Sequence, residues 1–326
     1  MGAEFVHSVI VEEQDPAADA ILEHELPVNP LSGLLLHLKP LNETGTFTTY
    51  DPLSLFLDAL NSIDIIWRGI TLFSASGRDA RNLLLHRWHR DVIQNGLVNT
   101  DATRRSIVLP IMFGRWWGDR EEGLPQTRSG ELKIRLDVDV TSAGYEDLRY
   151  GIEALELPGV TFKAFTRCTT ISQTFAATGF NDIDLPIGHA IRGLLCFQTT
   201  AFAGATPTPG LGRLELLVDG KQQGYSSTDA EVARGIAAAV GMPPARFQEH
   251  VHFADLDAAA DADTEPEEQI ETLLDNYVYL DFDFTRDDVY NLDTSKARRI
   301  VLRSNAEVAE AMRVVVLEKM EATLIK

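Results

Sequence analysis

Metal binding is the first chemistry the residues raise. His250-Val251-His252 sets two imidazoles at strand spacing, and Asp255 and Asp257 follow closely, a donor set able to hold a divalent ion. A metal-binding His-x-His strand motif also needs a Glu separated from its second His by three or four residues. Here those positions are Leu256 and Asp257, and no His follows His252. The stretch from Asp255 lacks the mid-loop Gly and the closing Glu spacing of an EF-hand. Its ordinary reading is an acidic surface loop with room for an adventitious cation.

Other reactive constellations fare no better. No Gly-x-Ser-x-Gly elbow, Walker loop or dinucleotide fingerprint occurs. Gly204 to Gly212 is Gly- and Thr-rich, but Pro207 and Pro209 remove amides that a phosphate cradle would need. The acid pairs Asp281/Asp283 and Asp137/Asp139 could serve a glycosidase. By strand alternation both are expected on solvated faces. Arg87-Trp88-His89-Arg90-Asp91 reads as a helix with Trp88 inward and His89 and Arg90 toward solvent or a subunit contact. Trp116-Trp117 sits in the Gly-flanked turn Gly114 to Gly118, either as part of an interface or folded over a sandwich edge. No catalytic, cofactor-binding or metal-binding residue is assigned, and no cofactor is expected.

The elements that would carry these residues are mainly strands. Leu132, Ile134, Leu136, Val138 and Val140 alternate with Glu131, Lys133, Arg135, Asp137 and Asp139, which gives one apolar face and one charged face. Val278, Leu280, Phe282 and Phe284 alternate with Tyr279, Asp281 and Asp283 in the same way. Further strands are expected at 33–39, 65–74, 106–113, 160–167, 191–199, 213–218, 298–303 and 313–319. Turn signals at Ser76-Gly77, Arg115 to Gly118, Thr206 to Gly212 and Asp219-Gly220 separate them.

Three helices are expected. The first starts at Asp51-Pro52, with Leu53, Leu57, Leu60 and Ile63 or Asp64 following at helical spacing. The second runs from Asp79 to Asn95, with Leu84, Leu85, Trp88 and Val92 inside and Gly96 as its stop. The third follows Thr228 or Asp229, with Val232, Ile236 and Val240 inside.

This order repeats. Strand, turn, helix and two strands occur at 67–140 and again at 214–303, with extra length at about 243–270 in the second copy. That extra length holds the acidic, Ala-rich tract Asp255 to Glu268. The expected organisation is an N-terminal arm at 1–27, a first sandwich at 28–150 and a second at 151–326.

The chain has 326 residues, of which 44 % are hydrophobic, enough to fill two ordinary cores. Its net charge of −20 argues against direct nucleic-acid binding, which needs clustered Lys and Arg. High acidity with few Lys fits a saline habitat, where salt screens self-repulsion, and fits equally the codon bias of a GC-rich genome. No apolar run reaches the ~20 residues of a membrane-spanning helix, and Met1 to Asp15 does not read as a signal peptide. Cys168 and Cys196 each lie in an apolar run and are expected to be buried, reduced and unlinked.

Several segments resemble the major coat proteins of tailless icosahedral phages with two jelly rolls per chain, the corticovirus-like group with an internal membrane. They are Arg213 to Gly220; Asn181 to Pro186 leading into Ile191–Phe197; Arg299 to Asn305 followed by Arg313 to Glu318; and Leu109 to Arg115 in the first half. The resemblance covers most of the chain but not the 1–27 arm or the acidic tract.

It implies an all-β fold of two tandem eight-stranded jelly rolls with short helices in the loops. It further implies a homotrimer of pseudo-hexagonal outline that tiles a virus shell. The implied partners are neighbouring trimers, other virion proteins such as penton or minor capsid proteins, and an internal membrane. The rival readings are a double jelly-roll enzyme acting on carbohydrates or amides, and a β-sandwich binding module.

Overall fold

A computed structural model describes residues 4–16, 19–42, 57–90, 92–95, 104–139, 145–199, 210–240 and 277–325. The chain forms two compact units, Met1–Thr169 with Lys319–Lys326, and Thr170–Glu318.

The first series of strands is β1 (Val6–Gln14), β2 (Asp19–Glu25), β3 (Leu31–Asn42), β4 (Leu60–Trp67), β5 (Ile70–Ala75), β6 (Ile93–Asn95), β7 (Ser106–Met112), β8 (Leu132–Asp139) and β9 (Tyr145–Glu156). One sheet has the order β1-β9-β3-β7-β6, and the facing strands run β5-β4-β8-β2. Leu34, Leu36 and Leu38 of β3 point inward with Ile107, Leu109 and Ile111 of β7, all essentially inaccessible to solvent. On the facing strands, Ile63, Ile65, Ile134 and Leu136 do the same. The period of two that the sequence shows along β8 is thus the burial pattern of the folded strand.

The second series is β10 (Ala164–Thr174), β11 (Gly179–Leu185), β12 (Ala190–Gln198), β13 (Leu211–Val218), β14 (Lys221–Gln222), β15 (Thr228–Asp229), β16 (Tyr277–Asp281), β17 (Ile300–Ala306) and β18 (Ala311–Glu321). Its strand orders are β10-β18-β12-β16 and β11-β17-β13-β14, with β15 pairing beside β13. These are the orders of the first series with each strand exchanged for its counterpart: β1-β9-β3-β7 and β2-β8-β4-β5. Each series therefore contains the same eight-stranded, two-sheet jelly roll. A core of Ile183, Leu194, Leu214, Leu216, Val278, Leu280, Leu302, Val314 and Val316 fills the second unit.

The repeat extends to the turns. β4 and β5 are joined by Arg68-Gly69, with φ of 48° and 82°. β13 and β14 are joined by Asp219-Gly220, with φ of 50° and 78°. Two successive residues of positive φ make the turn whose twist suits a two-residue hairpin. A helix follows in each case: α1 (Gly77–Trp88) and α2 (Ala230–Val240). The strand expected at 65–74 is therefore two strands, since a single Arg-Gly pair inside a mostly apolar stretch is enough to turn the chain.

Several expectations change. α1 is capped by Ser76, whose Oγ accepts from the Asp79 N–H, and it ends at His89 in the left-handed region. It does not reach Asn95, because residues 93–95 pair with β7. Leu60 and Ile63 belong to β4, and most of the helix expected from Asp51 lies outside the described residues. α2 buries Ala230 and Ala233, while Val232 and Ile236 are exposed, so its small face is the inward one. Residues 6–14 and 19–25, expected in an arm, pair with β9 and β8. The boundary expected at 150/151 falls inside β9. The 243–270 segment, with its acidic tract and His250 to Asp257, lies outside the described residues.

Candidate assembly surface

The first surface is built on the outside of the β3–β7 pair. Antiparallel register sets Gly33 opposite Met112, Leu35 opposite Pro110, and His37 opposite Val108. These residues alternate with the inward leucines and isoleucines, so their side chains face away from the core.

The loop after β7 folds back over this face and is firmly held. The Phe113 N–H donates to the Ser32 carbonyl at 3.2 Å, and the Gly118 N–H donates to Ser32 Oγ at 2.7 Å. Gly114 lies against the Glu122 carbonyl, and Gly118 has φ of 80°. The Trp117 ring rests over Gly33, where an added Cβ would stand 2.6 Å from the ring. Trp88, in the last turn of α1, donates its indole N–H to the Gly114 carbonyl at 3.0 Å.

The result is an apolar pocket of about 500 Å³. Leu35, Pro110 and Met112 form its floor, Leu84 and Trp88 one wall, and Trp116 and Trp117 another. Arg90 and Arg115 also line it. Trp116 is 54 % exposed and Trp117 40 %. The sequence offered two readings of this tryptophan pair. The structure has both features at once: a loop folded over the sandwich face, and two indoles still half open to solvent. Large exposed aromatics around a pocket mark a contact surface. Arg90 is exposed and His89 half-buried, as expected for residues past the end of the buried helix face.

The second unit holds a feature that sequence reasoning missed. Asp281 and Asp283 were expected on a solvated face, yet both are buried, Asp283 completely. The whole stretch Tyr277 to Asp283, β16 and the two residues after it, is covered on both sides, so its alternation of Asp with apolar residues does not separate core from water. Arg192, itself fully buried, reaches Asp288 Oδ1 at 2.9 Å and lies 4.0 Å from Asp283. Arg286 pairs with Asp281 at 3.0 Å and donates to the Asp283 carbonyl at 2.9 Å. The Asp288 N–H donates to Asp283 Oδ1, and the Asn291 amide to Asp288 Oδ1. Tyr225 donates to the Asp281 carbonyl, and burial pushes its phenol up to about 12.

The unbroken run Tyr277-Val278-Tyr279-Leu280 was the available clue, since such runs belong to strands buried on both faces. Asp137 and Asp139 of β8 are half-buried. Cys168 and Cys196 are free thiols, and burial raises both well above the usual thiol range. Among the described residues no cluster of three or more His, Cys, Asp or Glu is placed to hold a metal, and no helix is long and apolar enough to cross a membrane.

Strand order, the doubled roll and whole-chain superposition with solved structures decide the architecture. The fold is a double jelly roll. It matches the major capsid protein P2 of bacteriophage PM2 at TM-score 0.64 and 14 % identity, over 98 % of each chain. It matches a chain of Sulfolobus Turreted Icosahedral Virus at TM-score 0.66 and 11 % identity, over 97 % of this chain and 91 % of that one. It also matches a chain of the PBCV-1 virus capsid at TM-score 0.61 and 10 % identity, over 98 % and 94 %. No family model and no curated protein matches the sequence.

Proposed function

We propose that this chain is a structural coat protein that self-associates, as trimers of pseudo-hexagonal outline, into an icosahedral virus shell. The observation that carries the reading is end-to-end coverage. A chain that superposes over 98 % of its own length and 98 % of a phage major capsid protein has the full double roll of that coat protein. Two rolls with the same strand order also give one chain two similar blocks. Three chains about one axis then supply six, a near-hexagonal tile, and closed cyclic symmetry is the usual outcome of such contacts.

The remaining contacts proposed are with neighbouring trimers, with other virion proteins such as penton or minor capsid proteins, and with an internal membrane. Direct nucleic-acid binding is not part of the reading, given a net charge of −20. The role proposed is structural rather than enzymatic.

The tryptophan pocket supplies the test. Trp116→Ala/Trp117→Ala should weaken association by about 2 kcal/mol or more, roughly thirtyfold, if the indoles are buried between subunits. The melting temperature of the isolated chain should move much less. Electron microscopy of the expressed protein should show particles of uniform size for the parent sequence and few for the variant. Particles forming equally well from both would remove the pocket from the assembly contact.

A further inference from the structure

We propose that the loop Phe284 to Tyr290 is a preformed knob that enters the Trp116/Trp117 pocket of a second copy of this chain. The inference rests on the self-association reading above and names the partner of its pocket.

The knob consists of apolar side chains held out into water. Phe284 is 42 % exposed, Val289 67 % and Tyr290 54 %. The Phe284 and Tyr290 rings stack on each other at 4.6 Å between centroids, 15° from parallel. Such exposure costs solubility unless something covers it.

A floppy loop could hide these groups, but this one is fixed from beneath. Asp288 is tied by Arg192 and by the Asn291 amide, Arg286 is tied to Asp281, and the Val289 N–H donates to Asp287 Oδ1 at 3.1 Å. Arg286 and Asp288 both take positive φ, 60° and 64°, a conformation that non-glycine residues hold only when their surroundings impose it. A fully buried Arg at the base of a surface loop is expensive to keep in place. Its return here is a rigid display of three apolar side chains, and rigidity lowers the entropy lost on binding.

The pocket is the matching half. It is concave and apolar, walled by indoles that stack well on Phe and Tyr, and its volume lies in the ordinary range for a site that takes a compact apolar group. Charge agrees as well. Exposed Arg90 lines the pocket, and the knob carries the exposed acid Asp287. A knob on one copy and a pocket on the next form a head-to-tail contact, the kind that closes a ring of three.

The test uses two single variants of the full chain, Arg90→Cys and Val289→Cys. They are purified separately, mixed under exchange conditions and oxidised. The native thiols are buried, so the new ones react first. The expected product is a disulfide between position 90 of one chain and 289 of another, found by mass spectrometry and absent from either variant alone. In parallel, Val289→Lys, which sets a like charge against the arginine-lined pocket, should weaken association at least tenfold with unchanged unfolding.

If the parent chain associates but no such link forms, or Val289→Lys associates as tightly as the parent, the knob-in-pocket contact is wrong while self-association stands. A parent chain that is monomeric under all conditions overturns both.

Discussion

Replacing Arg192 by Leu separates a buried ion pair from a solvated one. Arg192 and Asp283 are both inaccessible to solvent, and Asp288, which Arg192 reaches at 2.9 Å, is mostly covered. Removing the guanidinium leaves the Asp283 carboxylate inside the protein with less compensation. Breaking a buried pair from one side costs about 3–5 kcal/mol. Had Asp283 lain on a solvated strand face, as alternation suggests, the loss would be about 0–1 kcal/mol. For a unit of this size, roughly 2–4 °C of melting temperature go with each kcal/mol, so the expected drop is roughly 6–20 °C.

Differential scanning calorimetry at matched subunit concentration measures it, because association itself shifts the midpoint. Arg299→Leu is the control. Its partner Asp184 is 2.7 Å away, but both side chains are more than 60 % exposed, so its midpoint should fall within a few degrees of the parent. Equal midpoints for Arg192→Leu and Arg299→Leu would refute the buried-network account.

Two further outcomes are expected. The hydrogen bond and charge of Arg303 hold the Asp182 carboxyl below the usual carboxylate range, so the pair stabilises the fold above the unfolded pKa, and that contribution is lost as pH falls through the folded one. Asp182→Asn should therefore reduce the steepness of acid unfolding below about pH 4, by less than about 1 kcal/mol because the pair is partly solvated. Stability should also rise with salt, since the Debye length shrinks from ~10 Å at 0.1 M to ~3 Å at 1 M and relieves the repulsion of a −20 chain. Melting curves across that range check it, and a flat or falling trend would point to codon bias as the source of the acidity.

What could be read from the sequence was set by one-sided burial. β8 faces the core on one side and polar surroundings on the other, so its alternation is visible in the residue types. The doubled order of strand, turn, helix and strands was legible too, because Gly77 and Asp219-Gly220 punctuate it. The reading failed where that signal is absent. Arg68-Gly69 turns the chain inside an apolar stretch, and β16 is enclosed on both sides, so Asp281 and Asp283 look solvated in sequence and are not. β1 is exposed along most of its length, and it is defined by pairing with β9, a long-range contact that local composition does not encode. The helix faces misled for a related reason. α2 packs through Ala230 and Ala233, where close approach counts for more than side-chain size. At the candidate surface, Trp116-Trp117 stood out by residue type alone. The pocket beneath it required the β3–β7 register and the fit of Trp117 over Gly33, which are properties of the folded pair.

The central claim is self-association into a closed three-chain ring, and the solution mass tests it most directly. Light scattering coupled to gel filtration of the purified full chain, at low and high salt, should give three times the chain mass, with larger species only as further multiples or complete shells. A single-chain mass at every concentration and salt would contradict it.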